Sequence, residues 1–212
     1  MPELETWTID NSAIVQQKSD RVLQLGINLG APGDRRDAKG VTWLEFPVVA
    51  GDSPSFGIEV DGPYTTFQDH PATMTGAQTP WISASGVQGL SALRVWLKPV
   101  SPYKLGTGIP IVDASDDADE VKITPDLNVA LSPYRVKLLF GMPKSVGVST
   151  RQFSVSVQGT QITTEVELDP FKEKELVKTM ERVMLGDVLE LNFKPIVGVP
   201  ILSGVEITKL DE

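Results

Sequence analysis

The sequence predicts an all-β protein, a jelly-roll type β-sandwich of two antiparallel sheets with long loops. Three observations predict it. First, Tyr134, Val136, Leu138 and Phe140 alternate with Arg135, Lys137 and Leu139, the period of a half-buried strand. Second, Phe153, Val155 and Val157 alternate with Ser154, Ser156 and Gln158. Third, Ile162, Thr164 and Val166 resume the pattern after Gln158-Gly159, a pair suited to the tight turn of a short hairpin. Strands with one apolar and one polar face cannot bury themselves. They need a second sheet over the apolar side.

Bulk composition narrows the function. The chain has 212 residues, 41% of them hydrophobic, which suits one sandwich domain with generous loops. No segment reaches the roughly 18–20 apolar residues of a membrane span. The start, Met1-Pro2-Glu3-Leu4-Glu5, is acidic and lacks the apolar stretch of a secretory leader. With no cysteine, a disulfide framework, a thiol nucleophile and a Cys-ligated metal are all excluded. The formal charge of -9 argues against nucleic acid, whose binding needs a basic surface. A neutral oligosaccharide or polysaccharide, or a protein partner, fits the charge balance better, although a local basic patch can override the mean.

In chain order, residues 1–20 are mostly polar, with Trp7 and Ile9 among the apolar exceptions, and read as a linker or edge strand, leaving 21–212 as the domain. Residues 22–29 form the first secure strand, and the turn-forming residues of 30–37 break it. Residues 50–85 are rich in Gly, Pro and aromatic rings, with short strands expected at 57–60 and 81–83. Leu93, Val95 and Leu97 restore alternation over 90–98. A loop over 99–120 ends in Asp113, Asp116, Asp117, Asp119 and Glu120, and 121–123 leads toward the alternating stretch. Beyond Asp169-Pro170 the pattern is ambiguous, because Leu176, Met180, Val183 and Met184 fall at helical spacing. Gly186-Asp187 turns the chain into Leu189, Leu191 and Phe193, and 205–207 closes it.

These residues also resemble a known family. Tyr134, Val136, Leu138 and Phe140, then Arg151, Phe153, Val155, Val157 and Gly159, then Pro200, Ile201, Leu202, Gly204, Val205, Glu206 and Ile207 are similar to the second half of a malectin or malectin-like domain. That is a galactose-binding-like β-sandwich best known for holding carbohydrate. Ile27-Asn28-Leu29-Gly30, a polar loop, Gly40 and Trp43 resemble the family's opening, with Ala31-Pro32-Gly33 where a second glycine is usual. Residues 25–53 also resemble segments found beside β-propeller repeats in large secreted bacterial proteins. The resemblance implies a noncatalytic carbohydrate-binding module of a larger extracellular or periplasmic protein. It implies a ligand held by loops at one end, and a loop or single helical turn over 170–176 followed by a strand through Val183. The alternative function is a structural or protein-interaction sandwich that packs on an adjoining domain of the same polypeptide.

Catalytic chemistry finds little footing. His70 is the sole histidine and no nucleophilic serine elbow accompanies it, so a Ser-His-Asp triad is not nominated and a capping or surface role is expected. Zinc needs several His or Cys ligands. The 28 Asp and Glu residues leave a paired-carboxylate glycoside hydrolase as a third reading, without a spacing that nominates a pair. No cofactor is expected. The acidic run 113–120 offers oxygen ligands of the kind calcium takes but lacks EF-hand spacing, and it reads as a solvated loop. Trp43 and Trp96 are expected to pack structurally. Sugars present C–H faces to rings and hydroxyls to polar side chains, so Tyr64, Phe67, Trp81 and Tyr103, on loops, are the candidate ligand rings. Asp34 and Arg35 are the candidate polar partners, from the loop that sits at the ligand end in the family.

Overall fold

Alternation sorts the chain into layers. The computed structural model describes residues 21–47, 56–99, 130–147, 149–159 and 161–211. The segments 1–20, 113–120 and 121–123, and Tyr103, lie outside the described residues. The strands in chain order are β1 (Gln24–Leu29), β2 (Arg35–Arg36), β3 (Thr42–Phe46), β4 (Phe56–Asp61), β5 (Thr65–Gln68), β6 (Ser85–Gln88), β7 (Ala92–Pro99), β8 (Ser132–Gly141), β9 (Arg151–Val157), β10 (Ile162–Leu168), β11 (Glu175–Leu185), β12 (Val188–Val197), β13 (Ile201–Leu202) and β14 (Gly204–Lys209). One short helix, α1 (Pro80–Ser83), interrupts them.

A six-stranded sheet runs β11-β8-β14-β1-β3-β2, and a five-stranded sheet runs β10-β9-β12-β7-β4. Leu25, Ile27, Tyr134, Val136, Leu138, Phe140, Val205 and Ile207 face inward from the first. Leu93, Val95, Phe153, Val155, Val157, Leu189 and Leu191 meet them from the second, all fully buried. The sandwich read from the sequence is thus present, with two departures from a pair of antiparallel sheets. β1 and β3 pair in parallel, Gly26 opposite Trp43, because the chain returns through 30–41 to re-enter alongside β1. A third sheet of β13-β6-β5 adds Phe67, Val87, Ile201 and Leu202 to the same core.

The first two alternating strands lie on opposite sheets, β8 in one and β9 in the other. β9 and β10 do form the expected hairpin, with Ile162 opposite Val157 and positive φ at Gln158 and Gly159. Within β11, the helix-like spacing of Leu176, Met180 and Val183 comes from a bulge between Met180 and Val183. Arg182 takes φ 55° there. The extra residue shifts parity and keeps Met180 and Val183 on the inner face.

Two short-range expectations are corrected. Residues 81–83 are helical, since Pro80 occupies the first turn of α1, where its fixed φ and missing N–H suit a helix start. Phe67 lies on β5, is 6% exposed and belongs to the core. Opposite it on β6 is Gly86, where a Cβ would collide with the ring. His70 caps the 3-10 turn Pro71–Thr73, its Nδ1 accepting from the Ala72 amide at 3.2 Å.

Candidate functional site

The outer face of the six-stranded sheet carries a second, smaller core. Gly26, Gly141 and Gly204 floor it, on β1, β8 and β14. A Cβ at Gly26 would fall into the Trp43 ring, and one at Gly141 into the Ser83 carbonyl of α1. One at Gly204 would come within 2.8 Å of Ile82 Cγ2. Their missing side chains let Val41, Trp43, Ile82 and Leu139 pack on the sheet, with Trp81 alongside.

Polar contacts then fix what stands on this floor. The Asp37 carboxylate accepts from the amides of Lys39 (2.8 Å) and Val41 (2.9 Å) and from Trp43 Nε1 at 3.2 Å, which sets the 37–41 turn against the buried indole. Trp81 meets Trp43 edge to face, centroids 5.7 Å apart at 86°. The Arg35 guanidinium lies 5.7 Å over Trp81, a cation–π distance. Glu175, the first residue of β11, receives the start of α1. It accepts from the Gln78 amide at 2.5 Å, the Thr79 amide at 3.3 Å, the Thr79 hydroxyl, and the Ser83 hydroxyl at 2.6 Å. An acceptor at this position satisfies donors that a short helix leaves open.

Beside this small core lies a cleft of about 1010 Å³. Its floor is the outward side of the sheet, with Lys137 and Leu139 from β8, Glu206 from β14 and Thr179 from β11. Lys137 and Glu206 are register partners joined by a 2.8 Å ion pair. The walls are the 37–39 turn, the 75–81 segment and the 170–174 loop. On that last loop Phe171 is 82% exposed. The Asp169 carboxylate holds its backbone, accepting from the Phe171 amide at 2.9 Å. Chemically, the cleft offers two rings in its walls, Trp81 and Phe171, and a floor with polar, hydrogen-bonding groups.

The residues nominated from sequence are only partly united here. Trp81 lines the cleft and Arg35 covers one face of its ring. Asp34 is structural, its Oδ1 accepting from the Glu45 amide at 2.8 Å and tying the loop to β3. Tyr64, 37% exposed, lies beside Gly89 and does not line the cleft. Phe67 is withdrawn into the core. Sequence reasoning missed Phe171, Lys137, Lys39, Glu175 and Glu206. The signals were an aromatic directly after Asp169-Pro170, a turn pair, and the outward parity of Lys137 and Glu206. Among the described residues no group of three or more His, Cys, Asp or Glu could hold a metal.

Arg151 is a buried cation of a different kind. Its Nη1 donates to the Val199 carbonyl at 2.9 Å, and Nη2 to the Val146 carbonyl at 2.6 Å and Gln88 Oε1 at 3.3 Å. Burial pushes the guanidinium below its ordinary value. It staples three segments at one end of the sandwich and lies outside the cleft.

No protein-family profile matches the chain, and no curated protein matches it. Solved structures do. A β-glucuronidase from Bacteroides uniformis is similar at TM-score 0.57 and 16% identity, over 94% of this chain and 19% of that one. β-Glucuronidase 2 of the same organism, covalently bound to cyclophellitol-6-carboxylate aziridine, gives 0.55 and 16%, over 89% and 18%. The plant receptor-like kinase FER gives 0.51 and 14%, over 89% and 42%. This chain therefore spans about a fifth of the glucuronidases and 42% of the receptor structure. What it shares with them is the β-sandwich fold.

Proposed function

We propose that this protein is a noncatalytic carbohydrate-binding module of a larger extracytoplasmic polypeptide, and that it holds a glycan in the outer-face cleft between Phe171 and Trp81. One observation carries the reading. Phe171 is 82% exposed at the rim of a cleft with a polar floor. A ring displayed over polar groups matches a sugar, which has apolar C–H faces and hydroxylated edges. The malectin-like sequence pattern supports it, as does the occurrence of this fold within larger proteins that include glycosidases. The position differs from the loop-end site that the family resemblance implies. The sheet face opposite the core supplies the floor, and the loops supply the walls.

The carboxylates of the cleft support a binding role over hydrolysis. Asp37 and Glu175 accept from backbone and side-chain donors, and Glu206 pairs with Lys137. These fixed roles suit hydrogen-bond acceptors more than the acid and base of a hydrolase. Among the described residues no helix is long and apolar enough to cross a membrane.

A glycan array with wild type and Phe171→Ala tests the proposal. Binding by the wild type that falls about tenfold or more in the variant is the expected outcome, the scale of a lost stacking contact. The melting temperature should not change. No release of reducing sugar is expected.

A second reading, docking on an adjoining domain, has its own observation. Ile196, Val197 and Val199 are 60%, 46% and 45% exposed at the end of β12, an apolar run of the kind that partner surfaces cover. Failure to bind any glycan across a broad array would favour it.

A further inference from the structure

Resting on the glycan reading above, we propose that the ligand is acidic: a uronate-containing glycan whose carboxylate is received at the rim formed by Arg35 and Lys39 beside Trp81. The charges around the cleft divide into those already committed and those left open. Asp37 is committed to two amides and the Trp43 indole, Glu175 to the start of α1, and Glu206 to Lys137. On the 170–174 loop Lys172 pairs with Asp169 at 3.4 Å, Lys174 Nζ donates to the Pro170 carbonyl at 3.4 Å, and Glu173 lines the cleft. At the 37–39 turn and Trp81 the position is reversed. Lys39 lines the cleft, and among the described residues its ammonium has no ion-pair partner. Arg35 has no carboxylate partner among them either, and its guanidinium lies over Trp81.

Strand register gives Arg35 its direction. Arg35 is the register partner of Trp43 in the antiparallel β2–β3 pair, and directly opposed residues project to the same face. Arg35 therefore stands on the outer face with Trp43 and the cleft. Its neighbour Arg36 instead donates Nε to the Gly40 carbonyl at 3.0 Å. A guanidinium laid on an indole keeps its plane, and its fork of donors is matched to a carboxylate. In a chain of formal charge -9, Lys39 in the cleft lining and Arg35 over the lining residue Trp81 oppose the mean charge of the molecule. The mean alone favours a neutral sugar. The local charges favour a uronate, with the pyranose ring against Trp81 and Phe171 and the carboxylate toward Arg35 and Lys39.

Titration calorimetry tests this with polygalacturonate, alginate and unsulfated chondroitin, each against its carboxyl-reduced counterpart, together with a sulfated galactan free of uronate. At least one polyuronate should bind about tenfold tighter than its reduced form, the scale of one charge-assisted hydrogen bond, and should weaken as salt rises. Arg35→Gln and Lys39→Gln should each lose most of that advantage, bringing the affinity for the polyuronate close to that of the same variant for the reduced polymer. Phe171→Ala should weaken both. Equal affinity for all three polyuronates and their reduced forms would overturn the proposal, as would charge variants indistinguishable from wild type. A sulfated galactan bound as tightly as the best polyuronate would overturn the carboxylate assignment. If reduced polymers bind through Phe171 and uronates bind no better, this inference fails and the glycan reading stands. If nothing binds, both fail.

Discussion

The rings of Phe140 and Phe153 meet edge to face, centroids 5.7 Å apart at 66°, although one belongs to the last turn of pleat in β8 and the other to the start of β9 on the facing sheet. Phe193 joins them at 6.3 Å from Phe153. This trio ties the two layers together just beneath the end where the crossing loop leaves.

Phe153→Ala should therefore cost about 3–5 kcal/mol, the range for an aromatic truncated in a close-packed core. Ser154, one residue along, points to the opposite face and is half-buried. Ser154→Ala should shift stability by less than about 0.5 kcal/mol. Urea melts of the two variants would check the pair, and equal losses would refute the assignment of the inner face.

Gly141→Ala should injure the outer face while sparing the interior. The added methyl meets the backbone carbonyl of Ser83, so α1 must shift, at a cost of about 1–3 kcal/mol for overpacking. Since Glu175 is bonded to the residues that open α1, the shift also moves a wall of the cleft. The variant should remain folded by far-ultraviolet circular dichroism and lose glycan affinity. Unaltered affinity would show that α1 does not shape the site.

Tyr134 should make stability fall at alkaline pH. Burial pushes its phenol above its ordinary value, with Arg21 opposing and Asp187 adding to the shift. A folded-state pKa above the unfolded one means that the native state holds the proton more tightly. Its contribution is whole below pH about 10, the unfolded value, and is lost as pH climbs through the folded value. Tyr134→Phe, with nothing to ionise, should keep its stability to higher pH. At neutral pH it should lose about 1 kcal/mol with the 3.2 Å hydrogen bond to the Val22 carbonyl. Denaturant midpoints followed from neutral to alkaline pH would check this, and identical profiles would contradict it.

Much of the sandwich was legible because period-two alternation is a local property. Val136, Leu138, Phe153, Val155 and Val157 face inward where the pattern puts them. The allocation of β8 and β9 to different sheets was not legible, since alternation names a face and not a partner strand. Residues 81–83 were misread because the carboxylate that receives α1 is Glu175, 97 positions from Gln78. Phe67 was misread because its burial depends on the absence of a side chain at Gly86, on a different strand. Phe171 carries no periodic signal. That this exposed ring borders a cleft is set by folding.

The three-glycine floor has an evolutionary consequence. Val41, Trp43, Ile82 and Leu139 form a cluster of their own, apart from the one that fills the sandwich. If the cleft holds the proposed glycan, replacements in the 37–39, 75–81 and 170–174 walls would change what it accepts without disturbing the interior that keeps the chain folded. Ligand preference can drift among descendants of this architecture while the scaffold stays under separate selection. The glycines are the hinge of that independence: a descendant that acquired a side chain at Gly26 or Gly141 would lose the seat of Trp43 and α1 and keep the sandwich of strands.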